Sequence, residues 1–201
     1  KLQAAGRDPA VRAVVLRIDS PGGGVTASDM MRRDLTTFQA QHGIPVIACL
    51  MDVGTGGAYY LATAADSIIA HPTSIVGGIG VIMNLYNLQD TLGQFNILSM
   101  PVKAGQKIDM ASSIRPMEPE EHEILEQIAT RLHDRFKQHV TRSRPHHTAA
   151  PEDFDGRVFL APEAYQKQLI DGVGYVDDAI ALARQSAGLS KSCAVVMYRR
   201  C

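Results

Sequence analysis

Two segments of this chain place glycine where a peptide backbone could do chemistry: Asp19-Ser20-Pro21-Gly22-Gly23-Gly24 and Asp52-Val53-Gly54-Thr55-Gly56-Gly57. Each follows an apolar run and precedes a helix-forming stretch, so each reads as a strand-to-helix loop. In a parallel sheet such loops leave the carboxyl ends of neighbouring strands and converge on one crevice, where helix N-termini offer free N–H groups to partial negative charge. N–H groups so arranged make an oxyanion hole. Glycine suits it because an acyl oxygen or a peptide backbone must approach where a Cβ would stand. The plainer alternative is that these glycines only serve tight turns. A phosphate cradle fits less well: Gly22 to Asp29 contains no lysine, and the spacing does not match the dinucleotide fingerprint.

The elements that must carry these loops are legible nearby. Ala13 to Ile18 predicts a buried strand, and a helix follows from Thr26 or Ser28 to Gln41, closed by Gly43. Pro45 to Leu50 predicts a second buried strand and Ala58 to Ala65 a second helix. Ser67–Ala70 and Val81-Ile82-Met83 read as further strands. Strands alternating with helices imply a βαβ order and a largely parallel sheet. Further on, Ile97 to Val102 predicts a strand. Glu118-Pro119-Glu120-Glu121 opens a long helix whose Ile124, Leu125, Ile128, Leu132, Phe136 and Val140 keep helical spacing. A polar loop from Ser143 to Asp153, helices over Pro162–Leu169 and Asp177–Ala187, and a last strand over Ala194–Tyr198 complete the pattern.

Composition sets the outer bounds. The 201 residues hold 20 Lys+Arg against 21 Asp+Glu, with 45% hydrophobic residues, so a sizeable core can form and nothing suggests a nucleic-acid footprint. The longest uncharged run, between Asp66 and Asp90, carries His71, Pro72, Asn84 and Asn87 and is too polar to span a bilayer. The first residue is Lys1 and not Met, which leaves room for a targeting segment or membrane anchor in a longer precursor. Cys49, Cys193 and Cys201 show no metal-ligand spacing, and Cys49 lies in an apolar run where a buried free thiol is expected.

Several motifs together resemble one family. Ile18-Asp19-Ser20-Pro21-Gly22-Gly23, Met51 to Ala62 with Ala65-Asp66, and Gly77-Gly78-Ile79-Gly80-Val81 are similar to the signal peptide peptidase A (protease IV) and SohB group of serine peptidases, in the ClpP/crotonase superfamily. Val102 to Gly105, Arg115-Pro116-Met117 and Asp155 to Phe159 extend the likeness over about residues 10 to 198. The resemblance implies an α/β fold of repeated β-β-α units with a mainly parallel sheet flanked by helices. It also implies membrane-associated or periplasmic oligomers that cleave extended peptides with a serine nucleophile and a lysine base, without cofactor or metal. A cytoplasmic location stays open. Residues 1–201 are expected to form a single domain of a longer chain.

Aligned on the family pattern, the nucleophile position is Gly56, the position of the serine that supports the base is Gly78, and the base position is Ile108. All three polar groups of the implied dyad site are therefore replaced. An isoleucine also removes a desolvated ammonium, which a non-catalytic site would favour. Thr55 and Lys107 are the fallback pair, although each lies one residue from the required position and would face the opposite side of an extended segment. Thr55 otherwise reads as a helix N-cap, Lys107 as a solvated charge and Ser20 as a turn residue. Ser112 and Ser113 fall nearer the crevice rim. His71 reads as a structural histidine, His146-His147 as a polar-loop pair unsuited to metal, and Glu120 to Glu123 as a solvated helix start.

The expected product is a peptidase-like domain with an impaired dyad and a peptide groove lined by the N–H groups of Gly22, Gly23 and Gly57. Its expected partners are an extended peptide and either copies of itself or an active homologue. An active peptidase using the displaced Thr55/Lys107 pair, a crotonase-type acyl-CoA enzyme, and a purely structural oligomer subunit remain alternatives.

Overall fold

The computed structural model describes residues 2–147 and 150–198, so Thr148 and Ala149 of the polar loop, and Cys201, lie outside the described residues. The chain divides into two compact units, one formed by residues 1–80 and 135–201 and the other by residues 81–134.

In the first unit, α1 (Leu2–Arg7) precedes β1 (Val14–Ser20), α2 (Val25–His42), β2 (Val46–Thr55), α3 (Gly57–Ala62), β3 (Ser67–Ala70) and β4 (Ile75–Gly77). After the second unit the chain adds a 3-10 turn (Pro151–Phe154), β5 (Val158–Leu160), α6 (Ala161–Gln166), β6 (Gly172–Val173) and α7 (Val176–Ser186). β2 is the hub of the six-stranded sheet. β1 runs parallel along one side of it, while on the other side β3 pairs with Ile47–Leu50 and β4 with Val53–Thr55. β6 adds to β3 in parallel, and β5 adds to β4 antiparallel. The mainly parallel α/β architecture with flanking helices is that of the ClpP/crotonase fold.

The unbroken apolar run in β2 has a direct cause. Side chains alternate across the sheet, and both faces are covered. Val46, Ala48 and Leu50 join Leu35 and Phe38 of α2 and Tyr59 of α3 in the larger core. Ile47 and Cys49 join Ala179 and Ala183 of α7 in a smaller one. Burying Val46 to Leu50 alone contributes on the order of 10 kcal/mol of transfer free energy, an upper bound for an extended unfolded chain. α2 stops where expected: Gly43 adopts a left-handed φ of 62° and its N–H donates to the Gln39 carbonyl at 2.8 Å.

Two of the expected strands of the second unit do not form. Val81-Ile82-Met83 lies beyond Gly77 and Gly78, whose φ values of 103° and 61° turn the chain out of the sheet. Its place in the sheet is taken by Ile75–Gly77, equally short and less apolar. Ile97 to Val102 has β-branched composition but finds no partner strand among the described residues, and Leu98, Met100 and Val102 stay exposed. Ala194–Tyr198, in the first unit, is likewise without strand pairing. A short helix, α4 (Gln89–Gln94), and a long one, α5 (Pro119–Ser143), are the regular elements of the second unit, with α5 continuing beyond residue 134 into the first. On α5 the apolar stripe is unevenly buried: Phe136 and Val140 are in the core of the first unit, whereas Ile128 is 41% exposed. Glu121 departs from the expected solvated helix start, being only 1% exposed beneath Arg115.

Candidate functional site

The two glycine loops and the end of β4 meet in the first unit. β1 and β2 run parallel, so their carboxyl ends emerge side by side, and Asp19 Oδ1 pins the pair by accepting the Val53 N–H at 3.2 Å. A Cβ at Gly22, whose φ is +117°, would stand 2.9 Å from the Gly57 nitrogen and 3.2 Å from the Thr55 oxygen. Only a residue without Cβ allows this approach. A Cβ at Gly57 would lie 3.2 Å from the Gly23 nitrogen and collide with the Ser28 hydroxyl. The backbone of Gly22, Gly23 and Gly57 thus borders one spot, with the Gly57 N–H in the first turn of α3, where no intrahelical acceptor exists.

Gly56 is the turn residue between β2 and α3, with φ 52° and ψ −123°. This sharp strand-to-helix geometry is the kind that displays a nucleophile in α/β-hydrolase folds. Its N–H donates to the Gly77 carbonyl at 2.9 Å, which locks the turn to β4. A side chain at position 56 would start 3.3 Å from the Pro21 oxygen and 3.9 Å from the Gly78 oxygen. Gly78 stands against the same turn: a Cβ there would lie 3.2 Å from the Gly56 nitrogen and 3.2 Å from the Thr55 Cβ. The positions that the family resemblance assigns to nucleophile and supporting hydroxyl are therefore adjacent, and both are without side chains.

Thr55 does not cap α3. The cap position is Gly56, without a side-chain hydrogen bond, and the Thr55 hydroxyl instead donates to the Pro21 carbonyl at 3.0 Å, tying β2 to the first loop. Ser20 closes a local turn, with its hydroxyl donating to the Gly22 carbonyl at 3.1 Å and accepting the Gly22 N–H at 3.2 Å. Both hydroxyl protons are engaged by backbone carbonyls.

The second unit holds Ile108 and Lys107. Ile108 is 72% exposed, and Lys107 donates to Glu118 at 2.9 Å and to Glu120 at 2.8 Å. Those two carboxylates raise the Lys107 pKa further above its ordinary value, the opposite of what a general base needs. Around it, Arg115 binds Glu121 through both terminal nitrogens and Asp109 through Nε, while Lys103 reaches the other Asp109 oxygen at 2.7 Å. The Arg115 guanidinium is the largest influence holding both Asp109 and Glu121 below the usual carboxylate range. Ser112 and Ser113 belong to this unit as well, where the Ser113 carbonyl accepts the Leu88 N–H.

One brace was not visible beforehand. The Tyr60 hydroxyl of α3 donates to Asp29 Oδ1 of α2 at 2.5 Å, and Arg135 grips the same oxygen at 2.8 Å. That brace fixes the two helices that leave the glycine loops. The Tyr60 hydrogen bond, followed by Arg135, keeps the Asp29 pKa below its ordinary value. The adjacent Tyr59-Tyr60 pair was the only sequence signal. Elsewhere His71 Nδ1 meets the Thr73 hydroxyl at 2.9 Å, and buried His147 meets Asp153 at 3.1 Å. Among the described residues no three His, Cys, Asp or Glu side chains are grouped to hold a metal, and no helix is long and apolar enough to cross a membrane.

Residues 39–190 match the family described as peptidase family S49. The chain is 32% identical over 191 residues to the chloroplastic serine protease SPPA of Arabidopsis thaliana, covering 94% of this chain and 28% of that protein. It is 27% identical to a putative signal peptide peptidase SppA of Enterococcus faecium, covering 99% of this chain and 58% of that one. A Salmonella typhi protein named Protease 4 is 29% identical over 195 residues, covering 95% of this chain and 31% of the relative. The chain thus spans less than two thirds of the curated relatives it matches. Among solved structures, the 1510-N membrane-bound stomatin-specific protease superposes with TM-score 0.53 at 17% identity, over 86% of this chain and 65% of that chain. An enoyl-CoA hydratase/isomerase family member superposes with TM-score 0.52 at 18% identity, over 94% and 64%.

Proposed function

Because this chain belongs to peptidase family S49, we propose that it is a signal-peptide-peptidase-A-like homologue that has lost its serine/lysine chemistry and keeps a groove for extended peptides. The observation that carries the proposal is the turn at Gly56, which retains a nucleophile-bearing backbone geometry while offering no nucleophile. Gly78 beside it and Ile108 in the second unit supply neither the supporting hydroxyl nor the base. The N–H groups of Gly22, Gly23 and Gly57 would bind a peptide carbonyl as they would an oxyanion, by directed hydrogen bonds in a site free of Cβ atoms.

The fallback pair gains little support. Thr55 is committed to the Pro21 carbonyl, and Lys107 is held as a cation by two glutamates. The acyl-CoA reading rests on a shared fold, and a fold does not specify chemistry. In this proposal residues 1–201 act as one domain of a longer, membrane-associated or extracytoplasmic protein, working as an oligomer or beside an active homologue. Fluorescence anisotropy with labelled extended peptides tests the groove: binding that Gly57→Val abolishes supports it. Absence of peptide binding together with a coenzyme A-induced thermal shift would replace it with the acyl-CoA reading.

A further inference from the structure

Where the chain leaves α5 and again where it leaves α6, polar side chains border a cavity of about 420 Å³, among them Arg144, His146, Gln166, Gln168 and Asp171. Neither the glycine loops nor the second unit contributes to it. Arg144 is only 5% exposed, and its Nη1 donates to Asp171 Oδ2 at 2.5 Å. An arginine and a carboxylate commonly close such a pair with two parallel bonds. Here they share one. Nε of Arg144 is buried without a partner, and among the described residues neither its Nη2 nor Asp171 Oδ1 makes a hydrogen bond. A charged donor left buried and unpaired is costly, so this one calls for an acceptor.

The pair is held in place by the sheet. The Asp171 N–H donates to the Ile68 carbonyl at 2.8 Å, and Asp171 Oδ2 accepts the Ile68 N–H at 2.7 Å, which pins the carboxylate on β3. An open donor edge and an open acceptor oxygen therefore flank one fixed bond, on an ion pair with no net charge.

We propose that this cavity binds a free α-amino acid with a polar side chain, its carboxylate on the Nε/Nη2 edge of Arg144 and its ammonium on Asp171 Oδ1. That edge is a side-on fork matched to a carboxylate: one oxygen on Nη2 brings the other against the shielded Nε, where a charge-assisted bond gains strength from the low dielectric. A phosphate dianion would meet repulsion from Asp171, and a simple cation from Arg144. A ligand with both charges on neighbouring groups satisfies both partners at once. The volume is at the small end of the range for small-molecule sites and leaves room for a side chain. Gln166, Gln168 and His146 on the wall offer it hydrogen bonds. Gln168 keeps its amide there at a φ of 60°, where glycine would be less strained.

Isothermal titration of the purified chain with L-glutamine and with L-serine tests the assignment, with binding at one site and a Kd of about 1 mM or tighter expected. N-acetyl-L-glutamine, which lacks the ammonium, and L-glutaminamide, which lacks the carboxylate, should each bind about 10-fold or more weakly than L-glutamine. Asp171→Asn keeps an oxygen for the Ile68 N–H. It should weaken L-glutamine about 10-fold and leave N-acetyl-L-glutamine unchanged, a split that a merely structural Asp171 would not produce. If the melting curve shows that this variant does not fold, the two derivatives decide the question on the parent chain. No binding of either amino acid at about 10 mM, derivatives that bind as tightly as L-glutamine, or equal losses for both ligands in a folded Asp171→Asn would each overturn the assignment. Peptide binding at the glycine loops is read separately by anisotropy, so neither result decides the other.

Discussion

Gly22 and Gly23 are neighbours in the chain, yet a single methyl group should have opposite consequences at the two positions. At Gly22 the backbone φ of +117° is one that L residues rarely adopt, and the added Cβ would be 2.9 Å from the Gly57 nitrogen and 3.2 Å from the Thr55 oxygen. Both are backbone atoms of a turn locked to β4, so neither can swing aside. Strain of roughly 1–3 kcal/mol for the dihedral and a further 1–3 kcal/mol for overpacking put Gly22→Ala at about 2–6 kcal/mol of lost stability. In a chain of this size that lowers the melting temperature by roughly 4–24 °C. At Gly23 a Cβ meets nothing within 4 Å, so Gly23→Ala should stay within about 0.5 kcal/mol of the parent. Urea denaturation of the two variants beside the parent, followed by circular dichroism, gives the comparison. Gly23→Ala is also expected to weaken peptide binding without loss of stability, because its methyl group stands at the open side of the cradle. Equal stabilities for the two variants, within about 0.5 kcal/mol, would refute the close approach of the two loops.

Further expectations concern single side chains. Gly56→Ser puts a Cβ 3.3 Å from the Pro21 oxygen at a φ of +52°, so the variant should fold with about 1–3 kcal/mol less stability and remain unlabelled by a fluorophosphonate, since no base accompanies it; labelling would reveal an unrecognised activator. Tyr60→Phe removes the main hydrogen bond to Asp29, and because that carboxylate is partly exposed the loss at pH 7 should be about 1 kcal/mol. A depressed carboxyl pKa contributes stability above the unfolded value near 3.9 and loses it as pH falls through the folded value. The Tyr60→Phe deficit should therefore shrink as pH falls below the unfolded carboxyl value in acid titrations of stability. Asp153 is fully buried against His147 and the partly exposed Lys167, so Asp153→Ala, which removes the acceptor that both of them meet, should cost about 1.5–3 kcal/mol, as a thermal melt would show.

The first unit was legible in the sequence because its rules are local and agree with one another. The run Val46 to Leu50 is apolar on both faces, and only a strand covered on both sides satisfies it. Gly43 marks the end of α2 by supplying the left-handed residue that the helix needs there. The glycine loops could be expected to meet because parallel neighbours release their loops at the same end of the sheet. The strands expected at 81–83 and 97–102 fail because β composition states a preference for a pleated surface and cannot supply the partner strand. β4 was missed for the converse reason: Ile75-Val76-Gly77 is short and glycine-ended, and it becomes a strand only because β2 outruns β3 and leaves Val53–Thr55 to be paired. Its position in an acidic helix start predicts a solvated Glu121, whereas Arg115, six residues earlier, folds over it. The Asp29–Tyr60 brace joins residues 31 apart in sequence and left no periodic trace.

The central claim, a peptidase scaffold that binds extended peptides but does not cut them, is tested most directly by measuring hydrolysis of a quenched-fluorescence peptide library with the purified chain. Release of fluorescence no faster than in buffer is expected, at protein concentrations where the same peptides bind by anisotropy. Turnover that follows the protein through purification and vanishes in Thr55→Ala or Ser20→Ala would contradict it.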